Sequence, residues 1–239
     1  MGWKGKPLTV VKGVEPSTEV RRKLAAEGGP VIVAFSGGKD SLATYFALRD
    51  IGIETYLVAL YAVPGLKFQE DYWDYLECEL GQTIYRYPSP AMFRFLRHGL
   101  FQSQARVEML QHTDLASVDY DVVWRLVRED LGLPADTWVA DGVRANDAPH
   151  RRMSIGRWGP MKEHSRKVSP VYDWGIVKVR EVIAENGIKP APDYEWFGRT
   201  FDGLDAKFVA PLREHAPDDF ARLLQWFPLL EVELVRHGL

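Results

Sequence analysis

The chain has 239 residues and a formal net charge of −3, with 46% apolar and 26% charged residues. That balance suits a globular α/β domain with a large core, or such a domain with an appendage, and excludes bulk attraction of the whole molecule to nucleic acid or anionic membranes. No apolar run reaches the length of a membrane span, and the single cysteine, Cys78, excludes an internal disulfide, a cysteine-ligated zinc and an iron–sulfur cluster within one chain.

Residues 1–15 read as an irregular arm without the apolar centre of a signal peptide, and Gly2 lacks a Ser or Thr at the spacing that myristoylation needs. The expected setting is the cytoplasm. Residues 17–27 read as a helix closed by Gly28 and Gly29. Pro30 to Phe35 is a continuous apolar run, as expected of a strand buried on both faces of a parallel sheet. Leu42, Tyr45, Phe46 and Leu48 then fall at helical spacing up to about Asp50. Glu54 to Val63 reads as a second strand, 69–80 as a helix containing a structural Cys78, and Thr83 to Tyr87 as a third strand. A helical middle is predicted over 91–131, best defined from Tyr120 to Leu131.

Thr137 to Asp141 is a predicted fourth strand and Lys167 to Tyr172 a fifth. Helices are expected from Ile176 to about Asn186 and from Pro217 to Phe227. The apolar face around Phe220, Leu223, Trp226 and Phe227 would close the core; the other use for it is a second copy of the chain, as a homo-oligomer. Strands alternating with helices predict a three-layer α/β/α fold on a mostly parallel sheet of about five strands. Ligands of such sheets bind beyond the carboxyl ends of the strands.

One such end carries the most specific feature of the chain, Ser36-Gly37-Gly38-Lys39-Asp40-Ser41. Glycines there let an anion approach the main chain, the two serines add hydroxyls, Lys39 adds a charge, and the following helix turns its positive end to the turn. Asp40 stands where it could cap that helix. The spacing is neither a Walker A loop nor a dinucleotide fingerprint.

The stretch resembles the pyrophosphate loop of the adenine nucleotide alpha-hydrolase-like superfamily. Two further stretches, Gly142 and Arg144 with Arg151 and Arg152, and Pro170 with Trp174, extend the resemblance to the phosphoadenosine phosphosulfate reductase family over roughly 28–203. The resemblance implies a nucleotide-binding domain over 28–203, preceded by the arm and helix of 1–27 and followed by a helical extension over 204–239 packed on the same domain. It implies ATP or a related adenine nucleotide bound at Ser36, Gly37, Gly38, Lys39, Asp40, Ser41, Gly142, Arg144, Arg151 and Arg152. Lys39, Asp40 and Arg144 would carry the chemistry, with Mg²⁺ on Asp40 and Asp141 as a weaker ligand or a positioning residue. The family's thiolate has no counterpart, because no cysteine follows Cys78 and Phe201, Asp202 and Gly203 stand where thiols would be. The expectation is therefore an ATP pyrophosphatase or adenylyl transferase with an unidentified small-molecule or nucleic-acid acceptor, rather than a reductase. A binding module without chemistry is the second reading.

Residues 150–167 hold Arg151, Arg152, Arg157, Lys162, Arg166 and Lys167 against the single acid Glu163. With Gly156, Gly159 and Pro160 they are expected to form a flexible basic loop rather than a helix. Such a loop would suit polyphosphate or nucleic acid, and a solvated charged loop is the plain alternative. His150 and His164 lack a third ligand nearby, so no zinc site is expected.

Overall fold

A computed structural model describes residues 6–113 and 115–239. The first residues of the arm, Gly2 included, and residue 114 of the helical middle lie outside the described residues. The elements run, in chain order, α1 (Ser17–Glu27), β1 (Val31–Ala34), α2 (Lys39–Arg49), β2 (Thr55–Tyr61), α3 (Lys67–Leu80) and β3 (Ile84–Pro88). Then come α4 (Pro90–Arg97), α5 (Gln104–His112), α6 (Tyr120–Asp130), β4 (Trp138–Ala140), α7 (Pro149–Trp158), β5 (Met161–Lys162) and β6 (Lys167–Val168). The chain closes with α8 (Ile176–Glu185), α9 (Pro192–Phe197), α10 (Ala206–His215), α11 (Pro217–Trp226) and α12 (Glu231–Arg236).

The strands form one sheet in the order β3-β2-β1-β4-β6-β5. β1 pairs in parallel with β2 and β4, and β4 with β6, while β5 runs antiparallel to β6. This is the α/β architecture with a mostly parallel sheet that the alternation of elements predicts. It has six strands where about five were expected. The extra one, β5, pairs Lys162 with Lys167 and Met161 with Val168. The predicted strand Lys167–Tyr172 stops at Val168, because the chain turns there, with Tyr172 N donating to Ser169 O (3.3 Å).

Two compact units divide the chain. Met1–Ala59, Gln82–Tyr85 and Val127–Lys189 make the first, and Leu60–Gly81, Arg86–Leu126 and Pro190–Leu239 the second. β2, β3 and α6 run from one unit into the other. In the first unit α2 packs on β1 and α8, and every residue from Ser41 to Leu48 is buried. A helix apolar or small on all sides is what such a sandwiched position demands. The arm is less irregular than its composition predicts. Thr9 N donates to Asp173 O and Gly175 N to Pro7 O, both at 2.6 Å. Asp173 Oδ2 in turn accepts from Ser17 N (2.9 Å) and so caps α1, although the N-cap residue Pro16 supplies no side-chain bond.

The second unit has its own core, built from Leu66 and Phe68, Phe201 and Leu204, Phe208 and Leu212 of α10, and Phe220, Leu223 and Phe227 at α11. The apolar face of 217–227 therefore closes this core. Phe197, Phe201 and Phe208 stack edge-on or tilted within 5.3–6.0 Å of one another. α9, α10 and α12 were not foreseen: two of them have six residues each, and α10 carries Pro211 inside. Their formation rests on packing rather than on helix propensity. Asp219 of α11 caps α3 from a distance, accepting from Lys67 N (2.5 Å) and Phe68 N (3.0 Å). Asp219→Ala leaves two buried donors without an acceptor and should cost about 1–3 kcal/mol in urea unfolding, whereas Asp219→Asn, which keeps one acceptor oxygen, should cost less.

Candidate functional site

The loop begins where β1 ends. Phe35 N still donates to Val58 O (2.8 Å), and Gly37 then takes φ of +75°, a region that side-chain-bearing residues rarely adopt. Ser36 Oγ accepts from Gly38 N (3.2 Å), and Ser41 Oγ donates to Gly38 O (2.9 Å), so both hydroxyls shape the turn. The first intrahelical bond of α2 runs from Leu42 N to Gly38 O (3.0 Å). N–H groups ahead of it have no acceptor within the helix, and their dipoles point out of its start. Asp40 does not cap α2 as expected. The N-cap is Gly38, without a side-chain bond, and the Asp40 carboxylate turns instead to two cations.

Those cations begin a chain of alternating charges. Lys39 Nζ lies 2.9 Å from Asp40 Oδ2, and Arg144 Nε 2.8 Å from Asp40 Oδ1. Arg144 Nη2 lies 2.7 Å from Asp147 Oδ1, and Arg151 Nη1 2.8 Å from Asp147 Oδ2. Arg144 is only 5% exposed. It reaches also toward Trp174 O (3.4 Å). The Arg144–Asp40 approach is an ion contact without an aligned hydrogen bond: Arg144 Nε and Asp40 Oδ1 are both buried and have no hydrogen-bond partner.

Gly142 explains how the chain of charges can assemble. A Cβ at this position would lie 2.8 Å from the carbonyl carbon of Asp40 and 2.9 Å from its Cβ. The end of β4 thus touches the first turn of α2 with no room for a methyl group. Thr44 Oγ1 secures the same junction, donating to Asp40 O (2.9 Å) and reaching Asp141 O (3.3 Å).

Asp141 is turned away from the loop. Its Oδ1 accepts from Ser169 Oγ (2.7 Å) and Val143 N (3.1 Å). Enclosure raises its pKa above the ordinary carboxylate value, against the smaller opposing pull of those two bonds and of Lys162 and Arg151. The geometry is that of a residue fixing the Gly142–Val143 turn. The Pro170 to Trp174 segment is a similar tie. Pro170 O accepts from Arg21 Nη1 (2.6 Å), Tyr172 OH donates to Glu15 O (2.5 Å), and Tyr172 O accepts from Ala145 N (2.7 Å). Sequence spacing marked Pro170 and Trp174, but nothing in it pointed to Asp147, the acid that joins Arg144 to Arg151.

The basic segment is not a loop. Residues 149–158 form α7, opened by Pro149 at its first turn and closed at Gly159, with Ile155 buried as its anchor. Gly156 costs such a helix about 1 kcal/mol, too little to break it. Arg152 lies apart from the chain of charges, with Nη2 donating to Val10 O (3.1 Å). Arg166 is held by Glu163 and Glu27 and lies 4.0 Å over the Trp138 ring. Cys78 is exposed on α3, not packed. No group of three or more His, Cys, Asp or Glu side chains suited to a metal occurs among the described residues. Nor, among them, is any helix long and apolar enough to cross a membrane.

No family model and no curated protein matches the chain. Solved structures do. A predicted subunit of a tRNA methyltransferase from Methanocaldococcus jannaschii matches with a TM-score of 0.40 at 17% identity, over 80% of this chain and 92% of that one. Phosphoadenylyl-sulfate reductase from Candida auris matches with a TM-score of 0.48 at 14% identity, over 80% and 88%. NH3-dependent NAD synthetase from Campylobacter jejuni matches with a TM-score of 0.44 at 12% identity, over 93% and 91%.

Two substitutions test the junction. Gly142→Ala should lower stability by about 1–3 kcal/mol, because neither backbone can yield a methyl's width. Asp141→Asn keeps both accepted bonds and removes an enclosed charge. A carboxyl whose pKa is higher in the fold than in the unfolded chain contributes stability below the unfolded value and loses it as pH rises through the folded one. Asp141→Asn should therefore melt with the wild type near pH 4 and above it at pH 7, whereas Asp141→Ala should melt lower at both. Thermal scans across pH decide.

Proposed function

We propose that the chain binds ATP or a related adenine nucleotide with its phosphates over Ser36 to Ser41, and transfers the adenylyl group to an acceptor oxygen with release of pyrophosphate. The observation that carries the reading is the turn itself: a glycine at positive φ, two serine hydroxyls, a lysine and the open start of a buried helix, all at the carboxyl end of a central parallel strand. Helix starts of this form attract phosphate through N–H groups and dipole together. The resemblance of Ser36–Ser41, Gly142, Arg144 and Trp174 to the sulfonucleotide reductase pattern supports the adenine nucleotide in particular.

In this reading Lys39 exchanges Asp40 for a phosphate oxygen, and the loop N–H groups hold the β- and γ-phosphates. The acceptor oxygen forms a bond to the α-phosphorus while the bond to the bridging α–β oxygen breaks, and its electron pair leaves with pyrophosphate. Lys39 and the helix start stabilise the charge that develops there. Arg144 holds Asp40 and the 141–147 turn in register, and Arg151, exposed at its tip, is the cation of the chain open to the nucleotide or the acceptor anion. Arg152 stands outside this group.

One carboxylate, Asp40, faces the loop, and its Oδ1 has no aligned hydrogen bond. That fits Mg²⁺ shared with a nucleotide, since this ion takes one or two carboxylates and completes its shell with phosphate oxygens and water. Bound there, Mg²⁺ would supply charge neutralisation for the departing pyrophosphate. A carboxylate, sulfate or amide oxygen as acceptor needs no proton removed. Reduction is left out, because no cysteine follows Cys78.

Titration calorimetry with ATP and Mg²⁺ tests the binding half: Lys39→Ala should weaken affinity about 10- to 100-fold, the loss of one charge-assisted contact, and unchanged affinity would refute the site. Incubation with α-labelled ATP and a panel of acceptors tests the chemistry. Pyrophosphate release dependent on the acceptor supports transfer, and tight binding without turnover across the panel leaves a nucleotide-binding module instead.

A further inference from the structure

The helix α7 presents a surface that the nucleotide proposal does not use. Trp158 is 61% exposed and Met153 72%, large apolar side chains left in water on a helix of ten residues. Between Asp147 and Glu163 the chain has no acid, so their neighbours are His150, Arg151, Arg152 and Arg157. The arm lies alongside, with Val10 O on Arg152 (3.1 Å), the Val10 side chain 83% exposed, and Lys12 exposed. Arg157 and Lys12 have no acidic partner among the described residues. The Arg157 guanidinium sits 4.7 Å from the Trp158 ring centroid, which steadies the ring while most of it stays bare.

We infer that this face is a docking surface for single-stranded nucleic acid, with Trp158 as the platform for a base and Arg152 and Arg157 as contacts to the phosphodiester backbone. An aromatic ring flanked by unpaired cations is what such strands need: stacking that tolerates any base, and positive charge along the backbone. The charge of the patch is opposite to that of the molecule as a whole, which is −3. An anionic bilayer fits less well, because it calls for a continuous apolar strip, and here Gly156 and Arg157 separate Met153 from Trp158. The face is also wired to the phosphate loop. Arg151 of the same helix reaches Asp40 through Asp147 and Arg144 by ion contacts of 2.7–2.8 Å. The surface stands on its own observations, so its test needs no nucleotide.

The experiment is fluorescence anisotropy of labelled 20-mers, as single-stranded RNA, single-stranded DNA and duplex DNA, titrated with the full chain across a salt series. Single strands should bind and duplex should bind markedly more weakly, and the RNA and DNA arms tell which strand is preferred. Trp158→Ala should weaken binding about 5- to 100-fold and Trp158→Phe much less, following the worth of one stacked base. Arg152→Ala with Arg157→Ala should reduce the slope of log affinity against log salt by about 1.4, two phosphates at about 0.7 each. All three side chains are exposed, so circular dichroism should be unchanged. Binding that ignores Trp158, equal affinity for duplex, retention by anionic phosphatidylserine vesicles without strand binding, or a dimer in sedimentation that Trp158→Ala dissolves would each overturn the inference.

Discussion

The end of β4 and the first turn of α2 meet where no methyl group fits, and the proposed site depends on that approach. Gly142 lies against the backbone of Asp40 at a distance that only a hydrogen can fill. Two backbones in van der Waals contact hold their side chains in a fixed relation, so Asp40 meets Arg144, and Arg144 meets Asp147, without long side chains searching for one another. Thr44 bonds across the junction and Asp141 tightens the turn beyond it, both from buried or enclosed positions.

The row of charges Lys39, Asp40, Arg144, Asp147 and Arg151 draws its meaning from burial at the centre and exposure at the ends. A buried ion pair contributes little net stability, because desolvation offsets the attraction, but removing one partner leaves a charge that the interior cannot solvate. Arg144 is therefore fixed in place, and the exchangeable cations are at the two ends. That division assigns holding to the middle of the row and ligand contact to Lys39 and Arg151. The segment from Pro170 to Trp174 extends the same logic: it ties the arm, α1 and the Arg144 turn through backbone groups that are satisfied only when all are in place.

Much of this was legible in the chain. An apolar run broken by Gly37 and Gly38 admits few structures other than a strand, a turn and a helix, and the period of the following apolar residues sets the length of α2. Strand positions followed from the same reasoning, to within a residue or two for β1 and β3. α7 was missed because Gly156 and two terminal breakers suggested a loop, while the deciding term, burial of Ile155, is invisible locally. α9 and α12 are too short for a periodic signal and form on the core of the second unit. Neither Asp173 on α1 nor Asp219 on α3 stands near its helix in sequence, so neither could be recognised as a cap.

By itself the sequence determined the α/β alternation and the phosphate-type turn, because both are local: hydrophobic period and the φ freedom of glycine operate within a few residues. Only the tertiary structure decided what Arg144, Asp141 and Trp174 do, since each acts on a residue tens of positions away. The same holds for the basic segment, whose composition announced charge but whose folding into α7 sorted that charge. Arg151 was drawn into the row at the loop, and Arg157 was left with Trp158 at the surface. Charge is a property of residues, but its partners are set by the packing that brings distant segments together.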